Sequence, residues 1–266
     1  MKNWITTKIE LDTNKNETNK FLFKEYTVDD NGDTHDETEY DEHGEIICKR
    51  IYRYFDTGEI NEYIEFDPSD ELLERHIYSK NEFGDFDKIE HEFIGGQKSI
   101  KEFFFTDLGN AEKAIVKNES GDITGYEVYV LNETGQIIEE IELDENEIEV
   151  TRFLKTYDEL DLLISEKQFS NSQLYIEEFY EYDDKGQVIK KIHKNHLDNF
   201  VVIDDYKFDN KGNMIYNCSH QNGVLVFENS CGYNDKDELI TEEFFELDFW
   251  EGKIVKHEKL IHERQE

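Results

Sequence analysis

Residues 182–188, Tyr182-Asp183-Asp184-Lys185-Gly186-Gln187-Val188, return 26 positions later as Phe208-Asp209-Asn210-Lys211-Gly212-Asn213-Met214. Each copy holds an aromatic residue, an Asp, two variable residues, a Gly, a polar residue and an aliphatic one. A short acidic side chain can accept the N–H groups of a tight turn, and Gly supplies its positive φ. The flanking aromatic and aliphatic residues then pair across the two strands. The pattern recurs as Tyr40-Asp41-Glu42-His43-Gly44-Glu45-Ile46 and as Phe55-Asp56-Thr57-Gly58-Glu59-Ile60. With Gly replaced, it reads Tyr157-Asp158-Glu159-Leu160-Asp161-Leu162-Leu163 and Tyr233-Asn234-Asp235-Lys236-Asp237-Glu238-Leu239.

Outward from these copies, Gly32, Gly58, Gly84, Gly109, Gly135, Gly186 and Gly212 stand at steps of 25 or 26, with Asp161 and Asp237 completing the series. A second series, Gly44, Asp70, Gly96, Gly121, Asn146, Ser172, Asp198 and Gly223, falls half a period away. Together they put a turn every 12 to 14 residues, so each repeat is a hairpin of two strands. The glycines assigned a turn role are Gly32, Gly44, Gly58, Gly84, Gly109, Gly121, Gly135, Gly186 and Gly212. Between turns, β-branched and aromatic residues alternate with polar ones, as in Gln136–Leu143, and the one proline, Pro68, falls in a turn. The expected fold is all-β, antiparallel hairpin repeats of ~26 residues forming a twisted or curled meander or solenoid. About 18 strands of ~30 Å would make a sheet too wide to stay flat.

No linker interrupts the period. Residues 1–20 are read as an N-terminal strand with a polar loop, 21–256 as the repeat domain, and 257–266 as a charged tail or last edge strand.

The chain carries 65 Asp+Glu against 29 Lys+Arg, a formal charge of −36. Such a surface repels nucleic acid and anionic membranes. No apolar run reaches the ~18–20 residues of a membrane span, and the N-terminus lacks a signal-like apolar core, so a cytoplasmic location is expected. Cys48, Cys218 and Cys231 are too few for a disulfide scaffold and are expected to be free thiols. High aromatic content (14%) with a single Pro marks a folded chain despite its polarity.

The hairpin motif resembles the YD-repeat (RHS-type) family of bacterial β-strand repeats and, more loosely, MORN-like hairpin repeats. The resemblance spans roughly residues 20 to 255. It departs in having Glu, Gln or Asn after Gly, and it has no match to the protease-like end of an RHS shell. It implies a bacterial β-repeat fold and, because such repeats occur in toxin loci, a toxin-immunity role.

Asp29-Asp30-Asn31-Gly32-Asp33 has the wrong spacing for an EF-hand and is read as a turn. Cys218, His220 and Cys231, with His193 and His196 nearby, form the best metal candidate, but no C-x-x-C is present and no metal or other cofactor is expected. No nucleophile elbow, phosphate loop or H-E-x-x-H occurs, so the chain is not expected to be an enzyme. The charge exceeds the ~2–8 that solubility requires of a small domain. The expected function is therefore binding of a basic protein partner, as an immunity protein (antitoxin) occluding a toxin. Tyr63, Glu65, Tyr126, Tyr129, Glu177, Phe179 and Glu181 are candidate contacts on one sheet face. The alternatives are a structural or surface repeat without a tight partner and a carbohydrate-binding repeat.

Overall fold

The computed structural model describes residues 1–12, 14–106, 109–248 and 253–265. Twenty strands follow in order: β1 (Lys2–Leu11), β2 (Glu17–Val28), β3 (Thr34–Tyr40), β4 (Ile46–Tyr54), β5 (Ile60–Phe66), β6 (Leu72–Lys80), β7 (Phe86–Phe93), β8 (Lys98–Phe105), β9 (Ala111–Asn118) and β10 (Ile123–Leu131) come first. They are followed by β11 (Ile137–Asp144), β12 (Glu149–Tyr157), β13 (Leu163–Ser170), β14 (Gln173–Tyr182), β15 (Val188–Asn195), β16 (Phe200–Phe208), β17 (Met214–Gln221), β18 (Val224–Tyr233), β19 (Leu239–Leu247) and β20 (Ile254–Arg264). Each pairs antiparallel with its neighbours in sequence, and β20 pairs with β1 from Trp4↔Arg264 to Glu10↔Glu258.

The sheet is thus a closed up-and-down barrel, in place of the open, curled solenoid expected from the repeat. Closure removes the two long unpaired edges that an open sheet would present. The seam also pairs side chains, with Lys8 bonded to Glu258 at 2.8 Å and Thr6 to His262 at 2.9 Å. The leading strand and the charged tail, set apart in the sequence reading, are the two strands of this seam and belong to the same wall as the repeats.

Both chain ends lie at one mouth, called here the terminal mouth, where Gln265 N–H donates to the Asn3 carbonyl at 2.8 Å. Its nine turns begin at Asp29, Phe55, Asn81, Thr106, Asn132, Asp158, Asp183, Asp209 and Asn234 and share one geometry. In the turn at Asp183, its N–H donates to the Gln187 carbonyl (2.9 Å) and the Gly186 N–H to the Asp183 carbonyl (3.1 Å). The Asp183 carboxylate accepts the N–H groups of Lys185 and Gln187, both at 2.9 Å. The fourth residue takes positive φ, which Gly tolerates; Asp161 and Asp237 adopt it at 63° and 64°. Phe55, read from sequence as the aromatic of its motif, occupies the position that Asp holds elsewhere; Tyr54 is the aromatic.

The far mouth is less uniform. Five-residue turns at 41–45, 67–71, 118–122 and 144–148 give way to two-residue turns at Asn171-Ser172 and Asn222-Gly223. Positive φ falls on Glu147 and Asn199, one residue beyond the Asn146 and Asp198 of the sequence series.

Register divides the wall into two faces. One carries Thr6, Glu37, Arg50, Tyr63, His76, Glu127, Tyr129, Glu178 and Tyr180. Exposed mid-strand residues such as Arg53, Phe104, Val130, Glu181 and Lys207 lie on the other, which is therefore the outer face. Its centre is aliphatic (Ile51, Ile64, Ile77, Ile115, Ile141, Ile192), with charged residues above and below. The inner face joins aromatic and charged side chains of adjacent strands. Arg50 bonds Glu37 at 2.7 Å and Glu39 and Glu65 at 3.1 Å, and Glu178 holds Lys191 (2.8 Å) and His193 (2.9 Å).

The barrel is hollow. Its accessible surface is 16076 Å², whereas a compact monomer of this mass would expose about 12,000 Å². Strands ~4.8 Å apart and tilted ~40° would give a circular barrel about 40 Å across.

Candidate functional site: the terminal mouth

The charge surplus is gathered at the two mouths. Among the described residues between strands, the terminal mouth has 17 carboxylates and three lysines, and the far mouth 13 and two. Together they hold a net charge of −25 out of the chain's −36. The walls are close to balanced because their acids pair across strands, as in Arg53–Glu62 (2.7 Å) and Lys167–Glu177 (3.1 Å).

At the terminal mouth the uniform turn has a second effect. The residue before each turn ends a strand with its side chain turned inward, so Tyr54, Phe105, Tyr157, Tyr182, Phe208 and Tyr233 form an aromatic collar inside the acidic crown. Four collar hydroxyls donate to the carbonyl at the start of the preceding strand: Tyr54 to Thr34 (2.7 Å), Tyr157 to Ile137 (3.0 Å), Tyr182 to Leu163 (2.7 Å) and Tyr233 to Met214 (3.0 Å). These bonds use backbone acceptors at the strand start and fix the rings against the wall.

On the β5–β9 side, the collar opens into an apolar recess of about 480 Å³ lined by Ile60, Tyr78, Phe86, Ile89, Phe103 and Ala111. Phe86 lies 5.8 Å from Tyr78 and 6.0 Å from Phe55, ring centre to ring centre. Lys80 caps this group, 4.8 Å over Phe55 and 4.9 Å over Phe86, and its ammonium bonds Glu59 at 2.8 Å. That bond holds the Glu59 carboxyl down to about 2. Above the recess, the turn residue Phe83 is 81% exposed, and farther round the crown Leu160 is 78% exposed.

The crown is held in place from turn to turn. Gln136 donates to the Asp161 carbonyl (3.1 Å), Gln187 to that of Gly212 (2.9 Å), Lys185 to that of Asn210 (3.0 Å), and Lys211 bonds Asp237 (2.6 Å). Capping carboxylates such as Asp29 and Asp209 are lowered chiefly by the backbone N–H groups they accept, so they stay ionised. A ligand meeting this mouth encounters a fixed ring of negative charge, then aromatic edges, then apolar surface.

The contacts picked from sequence do not share one face. Tyr63, Glu65 and Tyr129 point into the lumen, whereas Tyr126, Glu177, Phe179 and Glu181 are on the outer wall. Several are already engaged. Glu65 accepts from Arg50 and Tyr63, Tyr129 bonds Glu127, and Glu177 holds Lys167 and His196. Lys113 covers Tyr126 and Lys194 covers Phe179, at 5.1 and 4.6 Å from the ring centres. Only Glu181 is exposed among the seven. The metal candidate also divides, for Cys218 and His220 face outward and Cys231 inward. All three cysteines are free thiols. Asp29 accepts the N–H groups of Asn31, Gly32 and Asp33, as a turn acid does. The sequence reading missed the collar as a site, although Tyr157, Tyr182, Phe208 and Tyr233 were visible in its motif.

No family model matches the chain, and no curated protein matches it. Among solved structures, similarity extends to a chain of the TcdB2-TccC3-Cdc42 complex, at a TM-score of 0.45 and 13% identity over 94% of this chain. A Tc holotoxin pore of Photorhabdus luminescens gives 0.41 and 14% over 95% of this chain. This chain spans about one seventh of either toxin chain (14%). A porin-like protein from Bacteroides uniformis gives 0.40 and 9% identity, covering 98% of this chain and 97% of its own. Among the described residues, no helix is long and apolar enough to cross a membrane.

Proposed function

We propose that this chain binds and neutralises a basic protein partner, as an immunity protein (antitoxin) does its toxin, and that the partner docks on the terminal mouth. The observation that carries this reading is the acidic crown set directly over the aromatic collar and its recess. Fixed charge of one sign at a mouth attracts a cationic surface from a distance and raises association rates by roughly 10–10³-fold. Desolvated aromatic surface supplies the affinity that exposed charge does not. A recess of about 480 Å³ has room for an apolar side chain from a partner loop, and the turn-to-turn bonds lower the ordering cost of binding.

Two other readings draw less support. A membrane-spanning barrel needs an outward apolar band ~25 Å tall. Here the outer residues of β4 run Lys49, Ile51, Arg53 and those of β15 Lys190, Ile192, Lys194, so charge brackets each central aliphatic residue. Sugar cleavage calls for a carboxyl of raised pKa. The perturbed carboxylates Glu59, Glu62, Glu65, Glu177 and Glu178 are all lowered instead. We place the protein in the cytoplasm, where its free thiols would persist.

The test is affinity capture of the tagged chain from its native host at low and high salt, followed by association kinetics with what is retained. The expected result is one basic protein in stoichiometric amount. Its association should slow with salt and with the combined changes Asp30→Asn, Asp56→Asn, Glu82→Gln, Glu159→Gln and Asp235→Asn. An empty bait at both salts, or kinetics indifferent to those five changes, overturns the reading.

A further inference from the structure

On the outer wall, away from the mouth, β16 and β17 bring together three donors of different chemistry. Asp205 and Cys218 are directly opposed in the register, and His220 follows two residues after Cys218 on the same face. A carboxylate oxygen, the Cys218 Sγ and an imidazole nitrogen all lie within 4.8 Å of one another. Cys218 is 7% exposed, and the other two are half-buried. Most wall acids bond a cation or a hydroxyl across the strands, as the adjacent Asp204 does with Ser219. Asp205 and His220, by contrast, make no hydrogen bond or ion pair with another side chain among the described residues. Glu228, on β18, stands opposite Cys218 on the same face.

We propose that Asp205, Cys218 and His220 form a binding site for a divalent transition-metal ion, with Zn²⁺ the fitting occupant. One thiolate, one imidazole and one carboxylate form a mixed soft and borderline set that suits Zn²⁺, whereas Ca²⁺ and Mg²⁺ take oxygen ligands alone. In a tetrahedral site with bonds of ~2.0–2.3 Å, donors sit ~3.5 Å apart, so side-chain rotation of about 1 Å completes the cluster. Glu228 or a water takes the fourth position. Binding moves the thiol proton from Cys218 to solvent, and with a water in the fourth position thiolate plus carboxylate balance the ion's two charges. The site includes neither Cys231 nor the mouth, and it clamps β16 to β17.

The experiment is titration of the full chain, chelator-treated and reduced, with Co²⁺ and then Zn²⁺. The expected result is one equivalent of Co²⁺ giving the near-ultraviolet thiolate-to-cobalt band and the visible absorption of a tetrahedral ion, both erased by Zn²⁺. C218S should abolish the thiolate band, and H220Q and D205N should weaken binding at least tenfold. C231S and C48S should leave it unchanged. Because H220Q and D205N alter half-buried polar groups, they keep the test open if C218S fails to fold. A pale octahedral spectrum without the thiolate band would mean that cations gather only on the acidic turns and would overturn the assignment. Full binding by correctly folded C218S or H220Q would do the same.

Discussion

At the scale of single residues, the turns separate backbone strain from side-chain chemistry. At Gly58, φ is +93° and nothing lies within 4 Å of an added Cβ, so Gly58→Ala is a backbone test without a clash. It should cost about 1 kcal/mol, whereas Asp161→Gly, at the equivalent position of a sister turn, should gain about 0.5–1 kcal/mol. Urea midpoints will read both. The capping acids Asp29, Asp41, Asp67, Asp144 and Asp209 are all lowered from 3.8, chiefly by backbone N–H groups. A carboxyl depressed in the folded state contributes stability that is complete above its unfolded pKa and is lost as pH falls through its folded value. The urea midpoint should therefore fall below pH 4. Asn performs the same capping at Asn81, Asn118, Asn132 and Asn234. Changing the five acids to Asn should flatten that acid limb while keeping the fold, which a pH series of midpoints will show.

At the scale of strands and turns, local sequence revealed the elements but not where their side chains point. The 26-residue period is written in residues that make the turns, so hairpins were legible without any long-range information. Which face a side chain occupies depends on parity, and a register shift near the end of most strands, as at Glu181/Tyr182, resets it. Residue type alone therefore grouped Tyr63 and Phe179 on one face, whereas the barrel sets them on opposite sides of its wall. Composition gave no correction, because both faces mix charge with large apolar residues. Closure was equally hidden, since β1 and β20 are separated by nearly the whole chain and look like any other strands. The consequence for stability is specific. A chain ending at Lys253 lacks β20 and leaves β1 and β19 as long open edges. It should self-associate, eluting as large species by size exclusion with light scattering, whereas the full chain should not through these edges.

At the scale of the whole molecule, hollowness separates this barrel from a packed domain of equal length. A compact chain of this size would have a radius of gyration near 18 Å. A hollow barrel about 40 Å across should give about 21–22 Å in small-angle scattering. A value near 18 Å would mean that the walls collapse on each other, filling the lumen and closing the recess. The paired ends at the terminal mouth carry one last implication. Nine turns ring that mouth, and the junction of Asn3 with Gln265 occupies the place of a tenth. The order of strands around the ring thus has no privileged beginning. Joining the ends by one more five-residue turn and cutting the chain at a far-mouth hairpin such as Asn222-Gly223 would yield a circular permutant with every ladder intact, in which today's seam becomes an ordinary hairpin.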